Sequence, residues 1–217
     1  MVARKRTLFV EGGGDRNPAL ASECRRAFSR LFEKAGIRHK PRVIACGGRR
    51  RAYDQFCDAH EHRESDVWLL VDAEEIPSIG PGDSSWDHVK KRQGDGWMRP
   101  GDANDEQLHF MSVCMETWLI ADPAALKEVF GPKLDDSRLP ALPQLESIDK
   151  LTIYKLLDAA VRPTKAGTYS KGSHSFRILE KVSPAAIREL SWGRRFLDAM
   201  TSAPCAAPSA VEPAPAE

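Results

Sequence analysis

Val67-Trp68-Leu69-Leu70-Val71, followed at once by Asp72-Ala73-Glu74, is the stretch from which the rest of the chain can be read. A continuous apolar run of strand length, with no polar alternation, is the pattern of a strand covered on both faces in a parallel sheet. Upstream, Thr7 to Glu11 is a second β-prone run that ends in Gly12-Gly13-Gly14, a strand entering a tight turn. Between them, Leu20, Cys24, Ala27, Phe28, Leu31 and Phe32 recur at three- and four-residue spacing, which predicts a helix over 18–34 stopped near Gly36. Arg42 to Cys46, closed by Gly47-Gly48, reads as another strand, and Arg50 to His62 as another helix with Tyr53, Phe56 and Cys57 on one side. Strand, helix, strand, helix, strand defines an α/β fold with an open, mostly parallel sheet of about four strands and helices on both faces.

Downstream the pattern changes. From Ile76 to Gln107 periodicity gives way to Pro, Gly and Asp, and the expectation is a long structureless connection. Leu108 to Val113 predicts the fourth strand. Met115 to Ala121 and Pro123 to Phe130 predict short helices, the second capped by Asp122 with Pro123 at its first position. Residues 133–147 read as a loop, and 148–160, 176–182 and 184–200 as helices. The expected organisation is a single domain over 1–201, with its sheet core at about 7–122 and a C-terminal helical extension at about 123–200. An Ala/Pro-rich tail, 202–217, cannot bury enough apolar surface to fold and is expected to be disordered.

The 217 residues are 41% hydrophobic and 29% charged with mean hydropathy −0.44, the composition of one ordinary globular domain. Net charge is +1, which excludes a chain basic throughout. The charges are nevertheless segregated: residues 1–57 hold 14 basic and 5 acidic side chains, 58–107 hold 5 and 13, and 150–200 hold 10 and 4. Cys24, Cys46, Cys57, Cys114 and Cys205 include no C-x-x-C pair, so reduced, mostly buried thiols are expected rather than disulfides or zinc. The basic start meets only Leu8, Phe9 and Val10 before three glycines, short of a signal peptide, and nowhere do roughly 18 apolar residues run together. The expected location is the cytoplasm, with no membrane partner.

The chemistry-bearing residues are acids at the carboxyl ends of the predicted strands, the edge where open α/β sheets place ligands. Glu11 ends the first strand, Asp72 the third, and Glu116 follows the fourth. Glu74 lies two residues beyond Asp72, so in extended chain both side chains point the same way. Such carboxylates repel one another unless a divalent cation neutralises them, and oxygen-only ligands favour Mg²⁺ or Mn²⁺ over zinc. Acids at strand ends also serve as caps and turn formers, a role that suits Asp15 and Glu75 better than Glu11. The glycine loop lacks the Gly-Lys-Ser/Thr of a P-loop, and Asn17 stands where a dinucleotide fingerprint needs its third glycine.

Candidate nucleic-acid contacts are basic. Arg49, Arg50 and Arg51 open a helix, where positive charge opposes the macrodipole and local stability does not account for them. Lys90 and Lys91 lie in the long connection, and Arg177 in the basic C-terminal part. Trp86 and Trp97 either pin that connection to the core or stack on bases. The six histidines form no site, and His174, close to Lys171, is the one whose substitution would be informative.

Leu8-Phe9-Val10-Glu11-Gly12 together with Leu69-Leu70-Val71-Asp72-Ala73-Glu74 resembles the TOPRIM domain of topoisomerases, primases and OLD-type nucleases, with Glu74 where that pattern has Asp. Trp97-Met98-Arg99-Pro100, Cys114 to Asp122 and Tyr169-Ser170-Lys171-Gly172 resemble a small bacterial TOPRIM-like subgroup, often found beside ABC-type or AAA-type ATPases and linked to phage defence. The resemblance spans about 7–200. It implies Mg²⁺- or Mn²⁺-dependent cleavage of DNA or RNA. Glu11 would act as general acid, general base or second-metal ligand, with Asp72 and Glu74 holding the metal. Glu116 would be a further ligand or orient one, and Lys171 would stabilise developing phosphate charge. A non-catalytic subunit that binds an ATPase or nucleic acid is the reading of a different class. A phosphatase or nucleotidyl transferase using the same acids is a third.

Overall fold

In the computed structural model, which describes residues 5–14, 16–62, 65–78, 80 and 82–202, four strands form one parallel sheet. They are β1 (Lys5–Val10), β2 (Arg42–Ala45), β3 (Ser65–Val71) and β4 (Leu108–Phe110), in the order β2-β1-β3-β4. The expectations for Asp15, Cys205 and the tail from 203 onward lie outside the described residues.

The apolar run of β3 is divided between two cores by the two-residue period of a strand. Leu70 joins Leu8 and Val10 of β1 against α1 (Pro18–Lys34) and the helices that follow the sheet. Val67, Leu69 and Val71 join Phe9 on the opposite face, beneath α2 (Arg49–Glu61) and α3 (Ser85–Lys91). From Leu69 to Val71 both sides of the strand are fully buried, so neither can be polar there.

α1 starts where Asn17 accepts from the Leu20 N–H and Pro18 occupies the first turn, and it buries the expected stripe from Cys24 to Phe32. Asp122 likewise caps α5 (Pro123–Phe130), which follows α4 (Met115–Ile120). α6 (Lys150–Val161), α7 (Lys171–Leu179), α8 (Pro184–Arg188) and α9 (Ser191–Thr201) complete the C-terminal helical part.

Four expectations need correction. The 76–107 connection is not structureless: it holds α3 and a 3-10 turn at Asp105–Gln107, and Trp86 and Trp97 are buried pins, with the Trp86 indole N–H donating to the Asn104 carbonyl. β4 stops at Phe110 because Ser112 turns into left-handed conformation (φ 53°). α7 begins at Lys171, five residues before Phe176, since Gly172, Ser173 and His174 give no apolar signal. The helix expected over 184–200 is two, with Glu146 accepting from the Ser191 and Trp192 N–H groups where α9 restarts. Cys24, Cys46 and Cys114 are free and buried, Cys57 free and half-buried.

Candidate metal centre

The chain leaves β1 toward β2 on one side and returns as β3 on the other, so the carboxyl ends of β1 and β3 flank the topological switch point. Register there is tight. Val10 pairs with Leu70, the Glu11 N–H donates to the Leu70 carbonyl (2.9 Å), and the Asp72 N–H donates to Glu11 Oε2 (3.1 Å). Glu11 is thereby held beside Asp72 although 61 positions separate them.

The glycine loop after Glu11 serves packing and access. Gly12 and Gly47 exchange backbone hydrogen bonds (2.9 and 2.8 Å), tying the ends of β1 and β2 together. Gly13 has φ +85°, and a Cβ on it would lie 2.8 Å from that of Ala45, so no larger residue fits. The loop forms one wall of a pocket of about 230 Å³ lined also by Glu11, Asp72, Met115, Lys171 and Phe176.

Glu74 reaches the site differently from the expectation. The chain does not stay extended past Asp72: Glu74 adopts φ +70°, and the Ala73 and Glu74 N–H groups donate to the carbonyls of Ser112 and Val113 (3.0 and 2.9 Å). Those bonds hold a conformation costly for a residue with a side chain. The turn brings Glu74 to Asp72, and ligand oxygens of Glu11, Asp72 and Glu74 lie within 4.8 Å of one another. Three carboxylate oxygens at that spacing suit a hard divalent cation.

Three cations enclose this cluster. Lys150, at the first position of α6, places Nζ 2.7 Å from Glu74 Oε1 and 3.2 Å from Asp72 Oδ2. Lys171, at the first position of α7, stands 3.6 Å from Asp72 Oδ2. Arg49 lies 3.5 Å from Glu11 Oε2, donates to the Asp72 carbonyl oxygen, and forks onto Asp95 (2.9 and 2.6 Å). Asp72 itself is 1% exposed, and its Oδ1 accepts from the Met115 N–H (2.8 Å).

Burial and the nearby Asp72 carboxylate push Glu11 up to about 7, although Arg49 pulls the other way. Burial disfavours the charged forms of Lys150 and Lys171, but Asp72, with Glu74 for the first and Glu116 for the second, more than offsets it, and both are raised. Both lysines therefore stay charged at neutral pH.

Glu116 does not join the three converging acids. It is fully buried in the first turn of α4; Oε1 accepts from the Tyr169 hydroxyl (2.9 Å), while Oε2 finds no hydrogen bond among the described residues and sits 3.9 Å from Lys171 Nζ. Burial and then Glu116 raise the phenols of Tyr154 and Tyr169, keeping them protonated. Glu116 thus faces Lys171 rather than the oxygens of Glu74.

The basic residues separate. Arg49 turns inward, its side chain 12% exposed against 70% for Arg50, and its guanidinium covers the Trp97 ring at 4.6 Å. It is part of the carboxylate site and not of an outer surface, which corrects the reading of Arg49 to Arg51 as one patch. Arg50 pairs with Asp54, and Arg51, Lys90, Lys91 and Arg177 are exposed. Lys150, Asp95 and Tyr154 had no sequence signal: each is one ordinary polar residue whose role exists only through packing.

The class defined by this fold is an open parallel α/β protein with clustered acids at its switch point. Residues 10–201 match the family described as Domain of unknown function (DUF4276), and the chain belongs to it. No curated protein and no solved structure matches the chain. Among the described residues no helix is long and apolar enough to cross a membrane.

Proposed function

We propose that the protein is a divalent-metal-dependent phosphodiesterase that cleaves DNA or RNA in the manner of TOPRIM nucleases. The observation that carries this reading is the approach of Glu11, Asp72 and Glu74 oxygens to within 4.8 Å, from three points of the chain, beside two lysines. The motif resemblance at Glu11-Gly12 and Asp72-Ala73-Glu74 supports the same chemistry. So does the pocket of about 230 Å³ beside the acids, which has room for a phosphodiester group.

Asp72 and Glu74, with Glu11, would hold Mg²⁺ or Mn²⁺, and the bound ion would supply Lewis acidity toward a phosphate oxygen. Where Glu11 does not ligate the ion, its carboxylate would accept a proton from the attacking water as the new phosphorus–oxygen bond forms. The leaving oxygen departs with the electron pair of the broken bond and takes its proton from solvent. Lys171 faces the negative charge that gathers on the phosphoryl oxygens, and Glu116 with Tyr169 positions the start of α7 from which it projects. Lys150 already engages oxygens of Asp72 and Glu74 that would hold the ion, so its ammonium would have to give way to it.

Lys150 is also the observation that favours the second reading, a non-catalytic subunit: its ammonium neutralises Asp72 and Glu74 without any metal. In either case the resemblance supports a cytoplasmic protein working beside an ABC-type or AAA-type ATPase in phage defence. Incubating the full chain with DNA and with RNA in Mg²⁺ or Mn²⁺ separates the two. The nuclease reading expects cleavage that falls at least a hundredfold in Asp72→Asn and Glu11→Gln. Absence of cleavage of both polymers, or cleavage retained in Asp72→Asn, sinks it.

A further inference from the structure

The second concavity of the C-terminal part has a charge pattern opposite to the first. A pocket of about 490 Å³ lies where the end of α5, the segment after it, the α6–α7 loop and α7 meet. Its cations are Lys133, Lys165 and Arg177, contributed by three separate segments. All three are exposed, and none makes an ion pair among the described residues. The one acid in the lining, Glu128, is engaged by Lys181 at 2.5 Å. Like charges gathered around one hollow repel one another, and a bound anion relieves that repulsion.

The floor is not polar. Phe130 is half-buried and meets the His174 ring edge-on, with centroids 5.0 Å apart at 73°. Val129 and Ala166 widen the apolar wall. His174 Nδ1 accepts from the Ser170 N–H (3.0 Å), which leaves the hydrogen of the neutral ring on Nε2 as a donor. A ligand that satisfies all of this carries a flat or apolar body and at least one strong negative charge, and the volume is that of a small-molecule site.

We infer that this pocket binds a nucleoside phosphate, its base against Phe130 and its phosphate among Lys133, Lys165 and Arg177. The chemistry is shared by a free nucleotide and by one unit of a nucleic-acid strand. α7 connects the pocket to the acidic site: Lys171 opens the helix toward Asp72, and Arg177 lies six residues further on, about 9 Å along the axis. That rise corresponds to roughly two or three nucleotide steps. For a strand, this geometry rests on the nuclease reading, whereas binding of a free nucleotide needs no metal site.

The test is equilibrium binding in EDTA of AMP, of a ten-residue oligothymidylate and of a polyglutamate peptide. The full-length wild type, Lys165→Glu/Arg177→Glu and Asp72→Asn are compared. Both reversed positions are exposed, and far-ultraviolet circular dichroism confirms that the variants fold. The inference expects AMP or the oligonucleotide to bind the wild type, to bind Asp72→Asn within threefold, and to bind the double variant at least tenfold more weakly. AMP alone identifies a free-nucleotide site, and the oligonucleotide alone a strand site. No binding of either at millimolar concentration, equal binding to the double variant, or binding of polyglutamate in preference to both overturns the inference. Loss of cleavage in Asp72→Asn with nucleotide binding intact would show the two sites failing independently.

Discussion

Two concavities of this protein treat charge in opposite ways. At the switch point between β1 and β3, Glu11, Asp72 and Glu74 face Arg49, Lys150 and Lys171, so almost every charge has a partner within hydrogen-bond or ion-pair range. In the hollow between α5 and α7, Lys133, Lys165 and Arg177 make no ion pair among the described residues. The first arrangement is held by the fold itself and persists without a ligand. The second is tolerated because its side chains reach water.

The largest effect expected from that contrast is on stability at the paired site. Arg49→Ala removes the fork onto Asp95, whose side chain is 4% exposed and keeps only Arg92 (3.1 Å), together with the contacts to Glu11 and the Asp72 carbonyl, a combined loss of about 3 kcal/mol. Arg50→Ala, one residue away but exposed, is expected to cost less than about 0.5 kcal/mol. Urea unfolding of the two variants measures the difference; equal losses would mean that the inward turn of Arg49 is not what anchors α2.

The next effect is on pH dependence. Glu11 binds its proton up to about pH 7 in the folded chain but only to about 4.5 when unfolded, so the folded state holds more protons between those values. Stability of the metal-free protein therefore falls as pH rises through that window, by about 3 kcal/mol from this group. Glu11→Gln removes the slope and is the more stable protein at pH 8. Identical pH profiles for the two proteins, measured by unfolding in EDTA, would contradict the assignment of the raised carboxyl to Glu11.

What the sequence disclosed follows the same division. The span from β1 to β3 was legible because its residues obey short periods: α1 runs from Pro18 to Lys34 as its apolar spacing and Asn17 cap require, and the apolar run of β3 is sheet interior. The acids Glu11, Asp72 and Glu74 were legible because strand ends place them on one edge, although Glu74 arrives through a left-handed turn that no local pattern announces. The neutralising cations were not. Lys150 touches Asp72 across 78 positions, and as a sequence it is one lysine opening an amphipathic helix. Arg49 misleads for a related reason: beside Arg50 and Arg51 it looks like a solvated patch, and only the Asp95 loop turns it inward.

The most direct measurement of the central claim, that Glu11, Asp72 and Glu74 form a divalent-cation site held in check by Lys150, is a calorimetric Mn²⁺ titration. It compares wild type, Asp72→Ala and Lys150→Met. Saturable binding to the wild type, none to Asp72→Ala, and roughly tenfold tighter binding to Lys150→Met, equivalent to about 1.4 kcal/mol, are the expected results. Binding unaffected by Asp72→Ala, or no binding even in Lys150→Met, would contradict the claim.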